Sequence, residues 1–222
     1  MGTLTLVRHG QASFGAADYD QLSELGLRQC QALGTYLAER GRRFDAVLTG
    51  TLKRHAQSFA GLASTLPGLP ESRALQALDE YDAEALVRAA SGGRAPEYRP
   101  DGDRREHFRL LRQALDGWMR GELCVPGMPS WDDFRGGVAG VLDELRKSPS
   151  AEVLVVSSGG PIATAIAHVL QAPASAVVAL NLQMRNSALT EFTFTPVRHW
   201  LASYNGLPHL DHPERAGWVT FS

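Results

Sequence analysis

The chain has 222 residues, 44% of them apolar, and 22 basic residues face 24 acidic ones for a formal net charge of −2. That length suffices for one large α/β domain, expected here to run over 1–222, and the near-balanced charge excludes a global field drawing it to nucleic acid or an anionic membrane, so a bound anion must meet a local pocket. Cys30 and Cys124, with no CxxC pair, fit inert thiols in a reducing compartment. With no signal-peptide pattern at the start, Leu6 where a myristoylated Gly2 would need Ser or Thr, and no apolar run of ~18 residues, a soluble cytoplasmic protein is expected.

Thr3 to Arg8 alternates threonine with aliphatic residues and predicts a strand. Ser23 reads as the N-cap of a helix running toward Gly41, with Leu22, Leu25, Leu33 and Leu37 as its apolar stripe. Phe44 to Thr49 predicts a second strand, after which Thr51 is expected to cap a helix through Leu62, ended by the turn Pro67-Gly68-Leu69-Pro70. Residues 82–147 read as helical with two interruptions: a loop at 91–102, a helix at 103–120, a loop at 124–129, and a helix capped by Ser130 with Asp132 and Asp133 in its first turn. Glu152 to Ser157 is the most apolar strand, and it feeds a helix from Pro161 to Leu170. Ala188 to Phe194 and Val197 to Tyr204 predict two further strands. The order β-α-β-α-(helices)-β-α-β-β implies a sheet covered by helices on both faces.

Three strand ends then offer polar groups to one rim. The first gives Arg8, a permanent cation that forks onto phosphate oxygens, and His9, an imidazole able to act as a nucleophile near neutral pH, followed by Gly10, which lets backbone come close. The second leads into Arg54 in the first turn of a helix whose N-terminal amides favour an anion. The third gives Ser157-Ser158-Gly159-Gly160-Pro161, a glycine-rich turn with free amides and a hydroxyl. Two arginines, two helix N-termini and a nucleophilic imidazole make a phosphoryl-transfer pocket.

In this ordered series the chain resembles the histidine phosphatase superfamily, the phosphoglycerate-mutase-like proteins. That family opens on a strand ending in Arg-His-Gly and a Leu-Thr/Ser-x-x-Gly helix start, matched here by Arg8-His9-Gly10 and Leu22-Ser23-Glu24-Leu25-Gly26. Its Ser-x-Leu-x-Arg element corresponds to Thr51-Leu52-Lys53-Arg54, its Leu-x-Glu to Leu78-Asp79-Glu80, its strand into Ser-His-Gly-Gly to Ser157-Ser158-Gly159-Gly160, and its C-terminal Asn-x-x-x-His-Leu to the stretch from Asn205 to Leu210. The resemblance implies a three-layer α/β/α sandwich around a mostly parallel mixed sheet, with a helical lid insertion at about 80–135. It makes His9 the nucleophile that becomes a phosphohistidine, Glu80 the general acid and then general base, and Arg8, Arg54, Ser158 and Gly159 the phosphate-binding set. The implied ligand is a small phosphorylated substrate or inorganic phosphate. No cofactor or divalent metal is implied, and the seven histidines show no metal-ligand spacing.

Two departures qualify the resemblance. The family's second histidine is Ser158 here, and a missing preorganised donor costs ~3 kcal/mol, roughly a hundredfold in rate; a phosphate-binding pseudophosphatase is therefore the alternative to an active phosphatase. His55 stands next to Arg54, but neighbouring helical side chains point about 100° apart, which weighs against its taking that place. The mutase subgroup's Asn after Arg-His-Gly, and its later Gly-Trp, are replaced by Gln11-Ala12-Ser13-Phe14-Gly15, which favours a phosphatase over a phosphoglycerate-type phosphomutase and leaves Gln11 and Ser13 as possible substrate contacts or loop ties. The arginines 94, 99, 104, 105, 109 and 112 read first as a solvated face and second as an attractor for an anionic substrate. His168 reads as packed on an apolar helix, and His209 as structural. An α/β-hydrolase elbow at Ser158 with Asp211 and His212 is disfavoured, because Val156 stands where a small residue is needed and adjacent Asp and His cannot orient each other.

Overall fold

The structure is a computed structural model that describes residues 1–13, 20–93, 104–148 and 151–221, with only the backbone of 104–107. The described residues form six strands, β1 (Gly2–Arg8), β2 (Ala46–Thr49), β3 (Ser72–Ala74), β4 (Glu152–Ser157), β5 (Leu189–Phe194) and β6 (His199–Gly206). They form one mixed sheet in the order β3-β2-β4-β1-β5-β6. β3, β2, β4 and β1 run parallel, and β5 and β6 add antiparallel to one edge.

Period-two alternation divides the core. In β4, Val153 and Val155 face one side while Leu154 and Val156 face the other, and Leu6 and Val7 divide in the same way on β1. One face is covered by α1 (Glu24–Glu39) and α2 (Lys53–Ala63), through Leu33, Leu37 and Leu62. The opposite face carries α3 (Ala83–Ala90), α4 (Arg104–Met119), α5 (Trp131–Lys147), α6 (Gly159–Leu170) and α7 (Ala174–Gln183). A central strand buried on both faces must be apolar at every position, which is why β4 reads as an unbroken aliphatic run. Within this second layer Trp118 of α4 ties Tyr81 to the first turn of α5: its ring lies 5.5 Å from Tyr81, 5.3 Å from Trp131 and 5.4 Å from Phe134.

Several local expectations hold: Ser23 accepts from the Gly26 amide and Ser130 from the Asp133 amide as N-caps. Others are corrected. Thr51 does not cap α2, which starts after Leu52 with no side-chain cap; Thr51 donates its amide and hydroxyl to Asp79 instead. α6 starts at Gly159, two residues before Pro161. His168 is exposed rather than packed, because α6 is buried only as far as Ala167 and its last turn emerges into solvent. The sequence pattern misses two elements. β3 is a short polar edge strand without alternation, and α7 carries apolar residues all round, so no 3.6-residue stripe marks it.

Candidate active site

Strand register brings the candidate residues together. Arg8 pairs opposite Ser157 and Thr49 opposite Val156, so β1, β2 and β4 end at nearly one level and pass into His9, Gly50 and Ser158. The His9 amide donates to Ser157 O at 2.9 Å and the Gly50 amide to Val156 O at 3.1 Å, which extends the ladder to the rim. Ligands of open α/β sheets bind beyond such carboxyl ends.

His9 is 3% exposed, and its Nδ1 lies 2.7 Å from the Gly10 carbonyl oxygen. A carbonyl can only accept, so Nδ1 carries the hydrogen and Nε2 keeps a bare lone pair. Burial, then the Arg8 and Arg54 charges and His55, push the imidazole well below its ordinary pKa, so the ring is neutral. The backbone that approaches Gly10 is helix α1: a Cβ at Gly10 would stand 2.4 Å from Gly26 O. This clamp fixes the loop that carries the imidazole.

Both arginines are 8% exposed and enter the rim from different elements. Arg8 Nη1 donates to Met184 O and, at 3.4 Å, to Phe221 O near the C-terminus. Arg54 Nη1 donates to Asp20 Oδ1 at 2.7 Å, and the other Asp20 oxygen takes the Lys53 amide at 2.8 Å. The Asp20 carboxylate thus covers the first turn of α2 together with Arg54, in the manner of an anion at a helix N-terminus.

Glu80 follows a 3₁₀ turn at Gln76–Leu78 and reaches across to α6, where Oε2 accepts from the Gly160 amide at 3.0 Å. Burial raises its carboxyl pKa against the opposing pull of that hydrogen bond and of Arg54 and Arg8. The approach needs Gly160, because a Cβ there would sit 2.0 Å from Glu80 Oε1. Tyr81 backs this contact and takes a 2.6 Å hydrogen bond from Asn181 on α7.

Ser158 is completely buried, and its Oγ lies 2.7 Å from His55 Nε2. His55 is equally buried; its ring centroid stands 5.8 Å from that of His9, and its Nδ1 is 3.7 Å from Asp79 Oδ1. Burial lowers the His55 pKa and so does Arg54, while Asp79 and Asp20 oppose the shift. Burial works the other way on Asp79, yet His55 and Thr51 hold its carboxyl below the usual range.

Sequence reasoning therefore placed His9, Arg8, Arg54, Glu80, Ser158 and Gly159 at one rim, and the structure brings them there. It gave little weight to His55 and missed Asp20, Asp79 and Asn181. The available signal was a histidine beside Arg54 in a chain with serine at 158. Gln11 serves the loop: its Oε1 accepts from Ser23 Oγ and its amide donates to Gln29, and Ser13 donates its amide to Gln21 O. Arg109 and Arg112 are exposed on α4, as a solvated face requires. Phe14, Gly15, Arg94, Arg99 and the side chains of Arg104 and Arg105 lie outside the described residues. Burial raises the Cys30 thiol to about 11, consistent with an inert cysteine. His209 is buried on Ser187 Oγ at 2.9 Å, whereas His212 is exposed and takes the Glu214 amide, so the Ser158 hydroxyl faces His55 and not the hydrolase-type histidine.

The sheet order, the helices on both its faces and the strand-end rim define a phosphoglycerate-mutase-like α/β fold. A phosphoglycerate mutase from Bacillus anthracis superposes with a TM-score of 0.65 at 19% identity over 94% of each chain. A mycobacterial glucosyl-3-phosphoglycerate phosphatase matches at 0.65 and 22%, over 93% of this chain and 99% of the other. A phosphoserine phosphatase variant from Entamoeba histolytica in complex with phosphoserine matches at 0.64 and 20%, over 95% and 100%. The model of the histidine phosphatase superfamily, branch 1, matches residues 4–206, and the chain belongs to that superfamily. A 2,3-bisphosphoglycerate-dependent phosphoglycerate mutase from Rhizobium etli is 41% identical over 90 residues, which span 36% of this chain and 42% of that protein.

Proposed function

We propose that the protein is a metal-independent phosphatase that hydrolyses a small phosphate ester through a phosphohistidine on His9. The observation that carries this reading is the Nδ1 contact with the Gly10 carbonyl, which leaves Nε2 of a neutral, buried imidazole as a bare nucleophile in the field of Arg8 and Arg54. In the first step Nε2 forms the N–P bond as the ester P–O bond breaks, and Glu80, whose raised pKa favours the protonated form, gives its proton to the leaving oxygen. In the second, the Glu80 carboxylate takes a proton from water, the water oxygen bonds to phosphorus, and the N–P bond breaks to free His9. Arg8, Arg54 and the first turns of α2 and α6 supply the positive field for the transferring oxygens.

The test is hydrolysis of a panel of phosphate esters in chelator, with trapping of an acid-labile phosphoenzyme that H9A abolishes. One observation favours a second reading, a phosphate-binding pseudophosphatase: position 158 holds an uncharged, fully buried hydroxyl. Phosphate that raises the melting temperature, with no release from any ester at any pH tried, would support that reading. Transfer of the trapped phosphoryl group to a sugar or glycerate hydroxyl in preference to water would identify a phosphomutase instead.

A further inference from the structure

Position 158 needs a hydrogen-bond donor toward the phosphoryl group, and a serine hydroxyl has a single hydrogen to give. Its neighbour decides where that hydrogen goes. His55 Nε2 is 2.7 Å from Ser158 Oγ, and on the far side of the ring Nδ1, which makes no hydrogen bond among the described residues, points toward the Asp79 carboxylate at 3.7 Å. Asp79 is itself fixed by the Thr51 amide and hydroxyl. Room for the pair comes from Gly50 at the end of β2, where a Cβ would lie 2.1 Å from His55 Nδ1 and 2.6 Å from Asp79 Oδ1. Asp79, His55 and Ser158 thus form a line from the edge of the site to its phosphoryl-facing rim.

We propose that His55 supplies, through the Ser158 hydroxyl, the cationic hydrogen bond for which the family uses a histidine at that position. The proposal rests on the phosphatase reading above. Neutral His55 serves this role badly in either tautomer. With hydrogen on Nδ1, the bare Nε2 takes the Ser158 hydrogen and turns the hydroxyl's lone pairs toward the anion. With hydrogen on Nε2, the bare Nδ1 faces a carboxylate. The imidazolium satisfies both ends: Nδ1–H points to Asp79, Nε2–H donates to Ser158 Oγ, and Oγ–H donates to a phosphoryl oxygen. The charged groups around the ring are Asp79 and Asp20, which favour this cation, and Arg54, which opposes it together with burial; His9 lies 5.8 Å away and stays neutral. A phosphoryl group beyond Ser158 adds the negative charge that tips the balance, so one proton enters from solvent as the anion binds and returns as phosphate leaves. The only bond that changes is an N–H bond on His55, made on binding and broken on release; Ser158 keeps its hydroxyl hydrogen throughout.

Adjacent helical residues reach one site here because α2 starts at the rim. Arg54 leaves its first turn toward Asp20, while His55 turns under the end of β4. His55 is a positioning residue in this arrangement, acting on the substrate through Ser158.

The experiment combines anion binding with kinetics, using vanadate as the probe. Calorimetry in buffers of different ionisation enthalpy is expected to show about one proton taken up per vanadate bound, with nitrogen NMR placing it on His55. S158A loses the uptake; H55Q, which keeps a neutral donor of similar reach, still binds vanadate but takes up none. S158A and H55A each slow phosphoenzyme formation about 100-fold, their combination slows it little further, S158T retains most of the rate, and S158H restores it in the H55A background. Vanadate bound without a change at His55, or losses that multiply in the double variant, would overturn the relay, as would failure to bind vanadate at all. Proton uptake at His55 in a protein that cleaves no ester would leave the relay standing and overturn the phosphatase reading alone.

Discussion

Gly160→Ala tests the proposed role of Glu80 as general acid without touching an ionisable group. The added methyl carbon would lie 2.0 Å from Glu80 Oε1 and 2.7 Å from Tyr81 Cε1. Carbon and oxygen in ordinary contact stand ~3.3 Å apart or more, so the carboxylate must retreat by about 1 Å. It cannot retreat freely, because Tyr81 is held by Asn181 and packed against Trp118 and Phe134. The retreat also loosens the 3.0 Å bond from the Gly160 amide. A displacement of that size costs on the order of 100-fold where geometry controls the rate. For stability, overpacking of about 1–3 kcal/mol is partly offset by the ~1 kcal/mol helix preference of alanine over glycine, leaving a fold that can still be assayed. The discriminating measurement is leaving-group dependence. An alkyl phosphate needs the Glu80 proton, whereas p-nitrophenolate departs without one. The G160A loss should therefore reach about 100-fold on alkyl phosphates and shrink to a few-fold on p-nitrophenyl phosphate. Equal losses on both classes, or none on either, would refute the assignment of Glu80 as the acid held by α6.

Three further outcomes rest on the same geometry. The raised Glu80 pKa puts a descending limb on kcat/KM for alkyl phosphates as pH rises through that value, and the lowered His9 pKa puts the opposite limb well below 6.5, where the nucleophile protonates; E80Q should lose the first limb, and an unchanged profile in that variant would count against the assignment. Asp20 competes with phosphate for Arg54 and the Lys53 amide, so D20N should bind phosphate about 5-fold tighter by calorimetry, the equivalent of ~1 kcal/mol for a partly exposed pair, and equal or weaker binding would show that Asp20 only shapes the loop. Burial depresses His209 to about 3; because the folded value lies below the unfolded one, its contribution is complete above about pH 6.5 and falls away as pH drops toward the folded value. At most about 5 kcal/mol is at stake, and urea midpoints of H209Q should show a shallower loss between neutral and acid pH than the native chain.

Much of this site was legible because its ligands are strand ends. Aliphatic runs mark β1 and β4, and the residues that come after a buried parallel strand must lie on the rim, so Arg8, His9 and Ser158 could be placed from the pattern alone. Glu80 was legible only through the ordered series of motifs, since nothing local separates it from a solvated carboxylate beside Tyr81. The elements that escaped carry no periodic signal: β3 is polar and at an edge, and α7 is apolar on all sides. Asp20, Asp79 and Asn181 escaped for a different reason. Their roles are contacts across 33, 24 and 100 positions, to Lys53, His55 and Tyr81, and a single sequence contains no record of such distances.

His55 shows where a correct local rule reaches its limit: its Nε2 lies 2.7 Å from Ser158 Oγ although it neighbours Arg54 on α2. Side chains 100° apart on a long helix face different neighbours, but that separation matters less in a first turn standing over the end of a sheet, where a guanidinium can reach one way and an imidazole the other and still border the same ligand. The rule also treats position 158 as a loss to be made good by a histidine in the same place. An oxyanion requires only a donor at the right point with positive charge behind it, and a serine backed by an imidazolium meets that requirement with the charge one hydrogen bond further away. Such an arrangement demands room for the imidazole, which Gly50 leaves open beside Nδ1, and a counter-charge behind it, which Asp79 provides. Serine at 158, histidine at 55 and glycine at 50 therefore act as one unit, so G50A should mimic H55A in phosphoenzyme formation while leaving the Glu80 limb of the pH profile in place.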